Sequence, residues 1–255
     1  MKFICLHGAY GSAKAFQIQL APFVSVVEKT GKGEFKWIDG GYPAKPPEGF
    51  DSYFGPPPWR RHINYDGVGA LDELMDKIRE FPDGVTAEDA IRDLIGGEAV
   101  YNADAIREGV GRILKMIDED PEIEGILGYS EGATVAGTLV LEERRLFEEE
   151  GRPRRIKCAV FFAGWPPVKI NQDNSVQCLL ADECEDVIDI PTCHIVGCND
   201  PYIHGSMALY SMCDDDLAVL FDHGKGHTVP RDTTTVNELA AAIGDSISKA
   251  QTVAC

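Results

Sequence analysis

A chain of 255 residues, 44% hydrophobic and 26% charged, is long enough to bury a large core in a single domain. Its 42 acidic residues outnumber 24 basic ones, and a net charge of −18 excludes nucleic acid and anionic membrane surfaces as partners, since both would repel it. No apolar run reaches the ~20 residues that span a bilayer, so no membrane segment is expected.

The first residues, Met1-Lys2-Phe3-Ile4-Cys5-Leu6, read as a strand that runs straight into the turn His7-Gly8 and is too short for a secretory leader. A helix is expected over Ala13–Lys29 and a strand over Phe35–Asp39. From 40 to 101 the rhythm breaks. This stretch is rich in Pro, Gly and aromatics, among them Tyr53-Phe54-Gly55-Pro56-Pro57-Pro58-Trp59. Inside it Leu71, Leu74, Met75, Ile78 and Phe81 follow helical spacing, and a second short helix is expected over Ala87–Ile95. An excursion of this length in a compact domain is usually functional, and it reads as a lid-like insertion within one domain spanning 1–255.

Beyond it, helices are expected over Asn102–Asp118, Gly132–Glu150, Tyr202–Met212 and Thr234–Ala250. Strands are expected over Gly125–Gly128, Lys157–Ala163, Thr192–Val196 and Leu217–Phe221. These strands are apolar on both faces, as a parallel sheet covered by helices requires. The β-α alternation predicts an α/β fold with a mostly parallel, doubly wound sheet.

The eight cysteines contain no C-x-x-C pair, and several lie in apolar strands, so reduced thiols and a cytoplasmic location are expected. Cys193, His194 and Cys198 do not make a metal site, because alternation sends Cys193 and His194 to opposite faces of one strand.

Chemistry concentrates in four segments. Gly128-Tyr129-Ser130-Glu131-Gly132 matches G-x-S-x-G between a short apolar strand and a helix of small residues. That is the context of a nucleophile elbow, in which Ser130 is the nucleophile and a helix N-terminus lies beside the developing charge. The loop His7-Gly8-Ala9-Tyr10-Gly11-Ser12 follows the first strand. In such a fold it supplies the second oxyanion N–H: Ala9 is the first choice and Tyr10 the alternative, beside the Glu131 backbone N–H. A phosphate-cradling role is disfavoured, since neither a P-loop Lys-Ser/Thr nor a complete G-x-G-x-x-G is present.

Val196-Gly197-Cys198-Asn199-Asp200-Pro201 ends a strand in a turn that presents Asp200, the expected triad acid, with Asp182, Asp186 and Asp189 as competitors. Asp222-His223-Gly224-Lys225-Gly226-His227 follows the last strand. His227, in the Gly-rich loop, is the expected general base, and His223, at the strand end, is its rival. The order Ser, Asp, His is the one used by α/β-hydrolases.

Together Leu6-His7-Gly8, Gly128–Ala133, Ile195–Asp200 and Gly226-His227-Thr228-Val229-Pro230 resemble the fungal-type "family of serine hydrolases" (FSH) group. That group includes carboxylesterases and thioesterases of fungal polyketide clusters. The resemblance runs over nearly the whole chain, including Phe161–Pro167. It implies an α/β-hydrolase fold and activity on a small-molecule acyl ester or thioester, with no metal or organic cofactor. It also implies an acyl carrier protein of a polyketide synthase as a partner for the thioesterase branch. Glu131 stands where the family commonly has Gln. The backbone N–H is unaffected, but a carboxylate here weakens the oxyanion site unless it points away. Tyr53, Phe54 and Trp59 of the insertion, with Trp165, are the expected lining of an acyl pocket.

Overall fold

The computed structural model describes residues 1–46, 48, 54–64, 86–95 and 101–253. Tyr53 and the amphipathic stretch Leu71–Phe81 lie outside the described residues.

Six strands form one parallel sheet: β1 (Lys2–Leu6), β2 (Glu34–Ile38), β5 (Ile123–Tyr129), β6 (Cys158–Phe162), β9 (Thr192–Val196) and β10 (Ala218–Asp222), in the order β10-β9-β6-β5-β1-β2. Five helices cover the sheet and its ends: α1 (Ala13–Lys29), α3 (Ala103–Asp118), α4 (Glu131–Glu150), α5 (Ile203–Ser211) and α6 (Thr233–Val253). Period-two alternation divides each strand between two cores. Phe3, Cys5, Leu127, Val160, Phe162, Cys193 and Ile195 pack with Phe16, Leu20 and Phe23 of α1 and Leu239 and Ile243 of α6. Ile4, Leu6, Ile126, Ala159 and Phe161 pack on the other face with Val110, Ile113 and Ile117 of α3 and Val135 and Leu139 of α4. Cys193 and His194 face opposite ways as alternation demands, with the His194 ring 5.1 Å from that of Phe161.

Local chemistry sets the helix starts. Ser12 caps α1 by accepting from the Ala15 N–H at 3.2 Å, and Asn102 caps α3 by accepting from Asp104 and Ala105. Gly151, at φ 70°, ends α4 in the left-handed conformation.

The chain leaves β1 for β2 on one side and returns through β5 on the other, so the strand order reverses between β1 and β5. At such a switch point two loops diverge beyond the carboxyl ends of neighbouring strands and leave a crevice. Here those loops are His7–Ser12 after β1 and the turn at Ser130 after β5.

Two small antiparallel pairs were not anticipated. β3 (Tyr42–Pro43) pairs with β4 (Arg60–Arg61), and β7 (Val168–Ile170) with β8 (Val176–Cys178). Strands of two or three residues are too short to show a period. The expected helix over Ala87–Ile95 is present as α2, and Ile91 buries against Leu180 and Ala208.

Candidate functional site

Ser130 sits between β5 and α4 with φ 52° and ψ −118°, a conformation that L side chains rarely adopt. Close packing imposes it. A Cβ on Gly128 would lie 2.3 Å from the Gly132 carbonyl oxygen, and one on Gly132 would lie 2.3 Å from that of Leu6. Only glycine lets strand, turn and helix approach so closely. The Ser130 N–H donates to the Phe162 carbonyl at 2.9 Å, and the Ser130 carbonyl accepts from Ala133 at 2.9 Å. These bonds hold the turn while α4 begins at Glu131.

The loop after β1 lies against this elbow. A Cβ on Gly8 would meet the Tyr129 ring at 2.9 Å and the Ser130 Cβ at 3.3 Å. Among the described residues no acceptor is found for the N–H groups of Ala9 and Glu131. His7 anchors the loop: its Nε2 accepts from the Gly40 N–H at 2.9 Å, which leaves the proton on Nδ1, donated to the Gly8 carbonyl at 2.7 Å. Burial holds the His7 imidazole below its ordinary pKa.

Asp200 and His227 are brought together by two interlocked loops. Gly197 approaches the Lys225 carbonyl so closely that a Cβ would sit 2.0 Å from its oxygen. The Asn199 N–H donates to the same carbonyl at 3.1 Å, and Asp222 accepts from Cys198 and Gly224. Asp200 is buried. One carboxylate oxygen accepts from the Tyr202 N–H and the other lies 2.8 Å from His227 Nδ1. The His227 ring packs edge-on against Tyr202 at 4.7 Å and tilts against Tyr129 at 5.3 Å, while the Tyr129 hydroxyl donates to the His227 carbonyl. Tyr129 precedes Ser130 in the chain, so the imidazole is seated against the residue next to the elbow serine.

The competitors lie elsewhere. Asp189 is clamped by Arg154, Asp182 pairs with Arg92, and Asp186 with Lys169. His223 accepts from the Lys225 N–H and is pressed against Gly197, so it packs the loop crossing. His194 is buried beneath Tyr210, with burial pushing its pKa down to about 3.

Glu131 is buried, and its carboxylate is taken up by donors of the segment 61–63. It accepts from the backbone N–H groups of His62 and Ile63, both at 3.2 Å, and from Arg61 Nε at 3.4 Å. Burial raises its pKa, and Arg61 with the two N–H groups pulls the other way.

Of the expected pocket residues, Phe54 packs its ring 4.9 Å from that of Tyr10, and Trp59 donates its indole N–H to the Gly55 carbonyl. Trp165 packs on Gly205 with its ring 6.4 Å from Tyr202, in the cluster that holds α2. Tyr129 and Tyr202 flank His227 and were missed from the sequence. Their only signal was position, beside Ser130 and two residues after Asp200.

A strained serine elbow between an open-donor loop and an Asp-His pair is the arrangement of a serine hydrolase. Comparison agrees, since residues 1–239 match the family described as "Serine hydrolase (FSH1)". The chain belongs to the FSH1 serine hydrolase family. Relatives of this FSH hydrolase include "Esterase FPY3" of Fusarium mangiferae, 25% identical over 254 residues that cover 98% of each chain. "Hydrolase phiM" of a fungal species is 25% identical over 95% of this chain and 93% of its own. "Family of serine hydrolases 3" of Saccharomyces cerevisiae is 27% identical over 68% of this chain and 64% of its own. Among solved structures, Arabidopsis thaliana SOBER1 superposes with a TM-score of 0.54 at 13% identity, over 98% of this chain and all of the other. Esterase PE8 does so with a TM-score of 0.51 at 17% identity, over 96% and 91%. The fold is that of an α/β-hydrolase and the protein is an enzyme, a hydrolase of the esterase type. No helix among the described residues is long and apolar enough to cross a membrane.

Proposed function

We propose that this FSH hydrolase cleaves acyl esters and thioesters through a covalent acyl-serine intermediate, with Ser130 as nucleophile, His227 as general base and Asp200 as the acid that orients it. The 2.8 Å contact between His227 Nδ1 and the buried Asp200 carboxylate, beside the strained Ser130, carries this reading. Asp200 accepts a hydrogen bond from Nδ1–H, which keeps the proton on Nδ1 and leaves the Nε2 lone pair to take the Ser130 proton as Oγ attacks the acyl carbonyl, while the carboxylate stabilises the imidazolium that forms. The N–H groups of Glu131 and Ala9, or Tyr10 in place of Ala9, hold the oxyanion. His227 then protonates the leaving alkoxide or thiolate, and water attacks the acyl-enzyme by the reverse sequence.

The acyl group proposed is a medium-length, polyketide-type chain delivered as a thioester on a carrier protein. Phe54, Trp59 and Trp165, with Tyr53 alongside Phe54 in the sequence, supply apolar surface for it, and the 40–101 insertion serves as its cover. Each buried methylene contributes about 0.8 kcal/mol, so kcat/KM rises several-fold per carbon until the groove is full. A second reading, a general carboxylesterase for small free esters, is favoured by charge. An acidic carrier meets a protein of net charge −18. Arg152 and Arg154 are paired with Asp118 and Asp189 at the amino-terminal edge of the sheet, opposite Ser130. A chain-length series of free thioesters and oxyesters, run beside the same acyl groups on a carrier, separates the two. Thioester preference that climbs with chain length supports the first, and undiminished turnover of acetyl oxyesters with no gain from longer chains supports the second.

A further inference from the structure

The insertion crosses the site as a strap, 60–63, that touches both halves of the oxyanion crevice. On one side it meets the loop after β1 three times. The Arg60 N–H donates to the Gly11 carbonyl at 2.9 Å, the Arg61 guanidinium lies over the Tyr10 ring at 5.2 Å, and the His62 ring lies 4.4 Å from His7. On the other side it meets α4 through one side chain, Glu131, which receives the His62 and Ile63 N–H groups and Arg61 Nε. Arg61, His62 and Ile63 are all buried, so these donors have no water to fall back on. His62 accepts on Nδ1 from Arg112 and stays neutral, its pKa pushed well below the ordinary value by burial.

We infer that the Glu131 side chain is a positioning residue: it clasps the strap to the nucleophile elbow and thereby fixes the spacing between the Glu131 N–H and the donor on the His7–Ser12 loop. This rests on the oxyanion role proposed above. The same residue supplies a backbone donor to the crevice and a carboxylate to its frame. Loss of the clasp frees the strap and, through Gly11 and Gly8, the loop that abuts Ser130. The developing charge then loses preorganised donors, while the ground-state substrate loses little, so the effect falls on kcat.

The experiment compares the wild-type enzyme with Glu131→Ala, Glu131→Gln and Glu131→Asp, using p-nitrophenyl butyrate for kcat and KM, a fluorophosphonate for labelling, and a thermal midpoint for folding. Glu131→Ala should lower kcat roughly 10- to 100-fold with KM within about 3-fold. Glu131→Gln, whose amide oxygen can accept the same two N–H groups, should recover most of that loss. If Glu131→Ala folds poorly because buried Arg61 loses its contact with this carboxylate, Glu131→Asp reads the same split with charge and near-native volume kept. An unchanged kcat in the folded Ala or Asp variant overturns the clasp, as does a Gln variant as slow as Ala. Wild-type enzyme that turns over ester without labelling at Ser130 removes the catalytic reading and the clasp with it. Labelling at Ser130 together with full activity of the folded Ala or Asp variant removes the clasp alone.

Discussion

His227 Nδ1 lies 2.8 Å from Asp200 Oδ2, and the other Asp200 oxygen accepts from the Tyr202 backbone N–H, whose own ring closes edge-on over the imidazole. One turn of three residues, Asp200 to Tyr202, therefore sets the tautomer and the tilt of the ring.

Asp200→Asn tests that arrangement. An amide at this position can present an N–H to Nδ1 and favour the wrong tautomer, so kcat should fall roughly 10³- to 10⁴-fold with little change in KM. Asp189→Asn is the control. It loosens only the partly exposed pair with Arg154, so kcat should hold while stability changes by about 1 kcal/mol or less. Steady-state kinetics on both variants checks this, and a larger kcat loss for Asp189→Asn would reassign the acid.

The glycines around Ser130 should separate folding from catalysis. An alanine at 132 would place its Cβ against two backbone carbonyls, at 2.3 Å from Leu6 O and 2.7 Å from His7 O, and neither can yield cheaply. Gly132→Ala should cost about 3 kcal/mol of stability. Gly8→Ala meets a side chain instead, the Tyr129 ring, and crowds the Ser130 Cβ. It should lower kcat roughly 10- to 100-fold with a smaller fall in the thermal midpoint. Denaturant unfolding and kcat measured on the same two preparations test the contrast.

His194 predicts how stability depends on pH. Its imidazole is buried and its pKa is pushed down to about 3, whereas the unfolded chain's histidines protonate near ~6.5. A depressed folded value means the stabilisation is complete above ~6.5 and is lost as pH falls toward 3, because only the unfolded state takes up the proton. By pH 5 the loss from this residue alone is about 2 kcal/mol. Glu131 and Glu143 carry raised values and oppose the trend as pH falls toward their ordinary ~4.5, so the comparison is made against His194→Gln. Urea unfolding between pH 7 and 5 should show a shallower decline in the variant, and parallel curves would contradict the assignment.

Much of the architecture was legible in the sequence because buried parallel strands announce themselves. Cys158–Phe162 is a continuous apolar run, and both it and the mixed run Thr192–Val196 are buried at every position. Gly128 and Gly132 were readable for the same kind of reason, since a strand–turn–helix this tight admits nothing larger. The direction of the Glu131 carboxylate was not. It depends on backbone N–H groups about 70 residues away, which no local pattern encodes. Tyr202 was hidden likewise, because an aromatic two residues after a turn acid has no special spacing until the β9 and β10 loops cross at Gly197. The basic run Arg152-Pro153-Arg154-Arg155 carries no sign in its sequence of the partners it takes. In the fold Arg152 pairs with Asp118, Arg154 pairs with Asp189, and Arg155 donates to the Pro121 carbonyl.

The most direct test of the central claim is the site of fluorophosphonate labelling, read by peptide mass spectrometry on wild-type enzyme and on Ser130→Ala. The account predicts one adduct, on the peptide carrying Ser130, absent from the Ala variant together with ester turnover, while both proteins unfold at similar temperatures. An adduct of undiminished yield in the Ala variant, or turnover that survives the substitution, would contradict it.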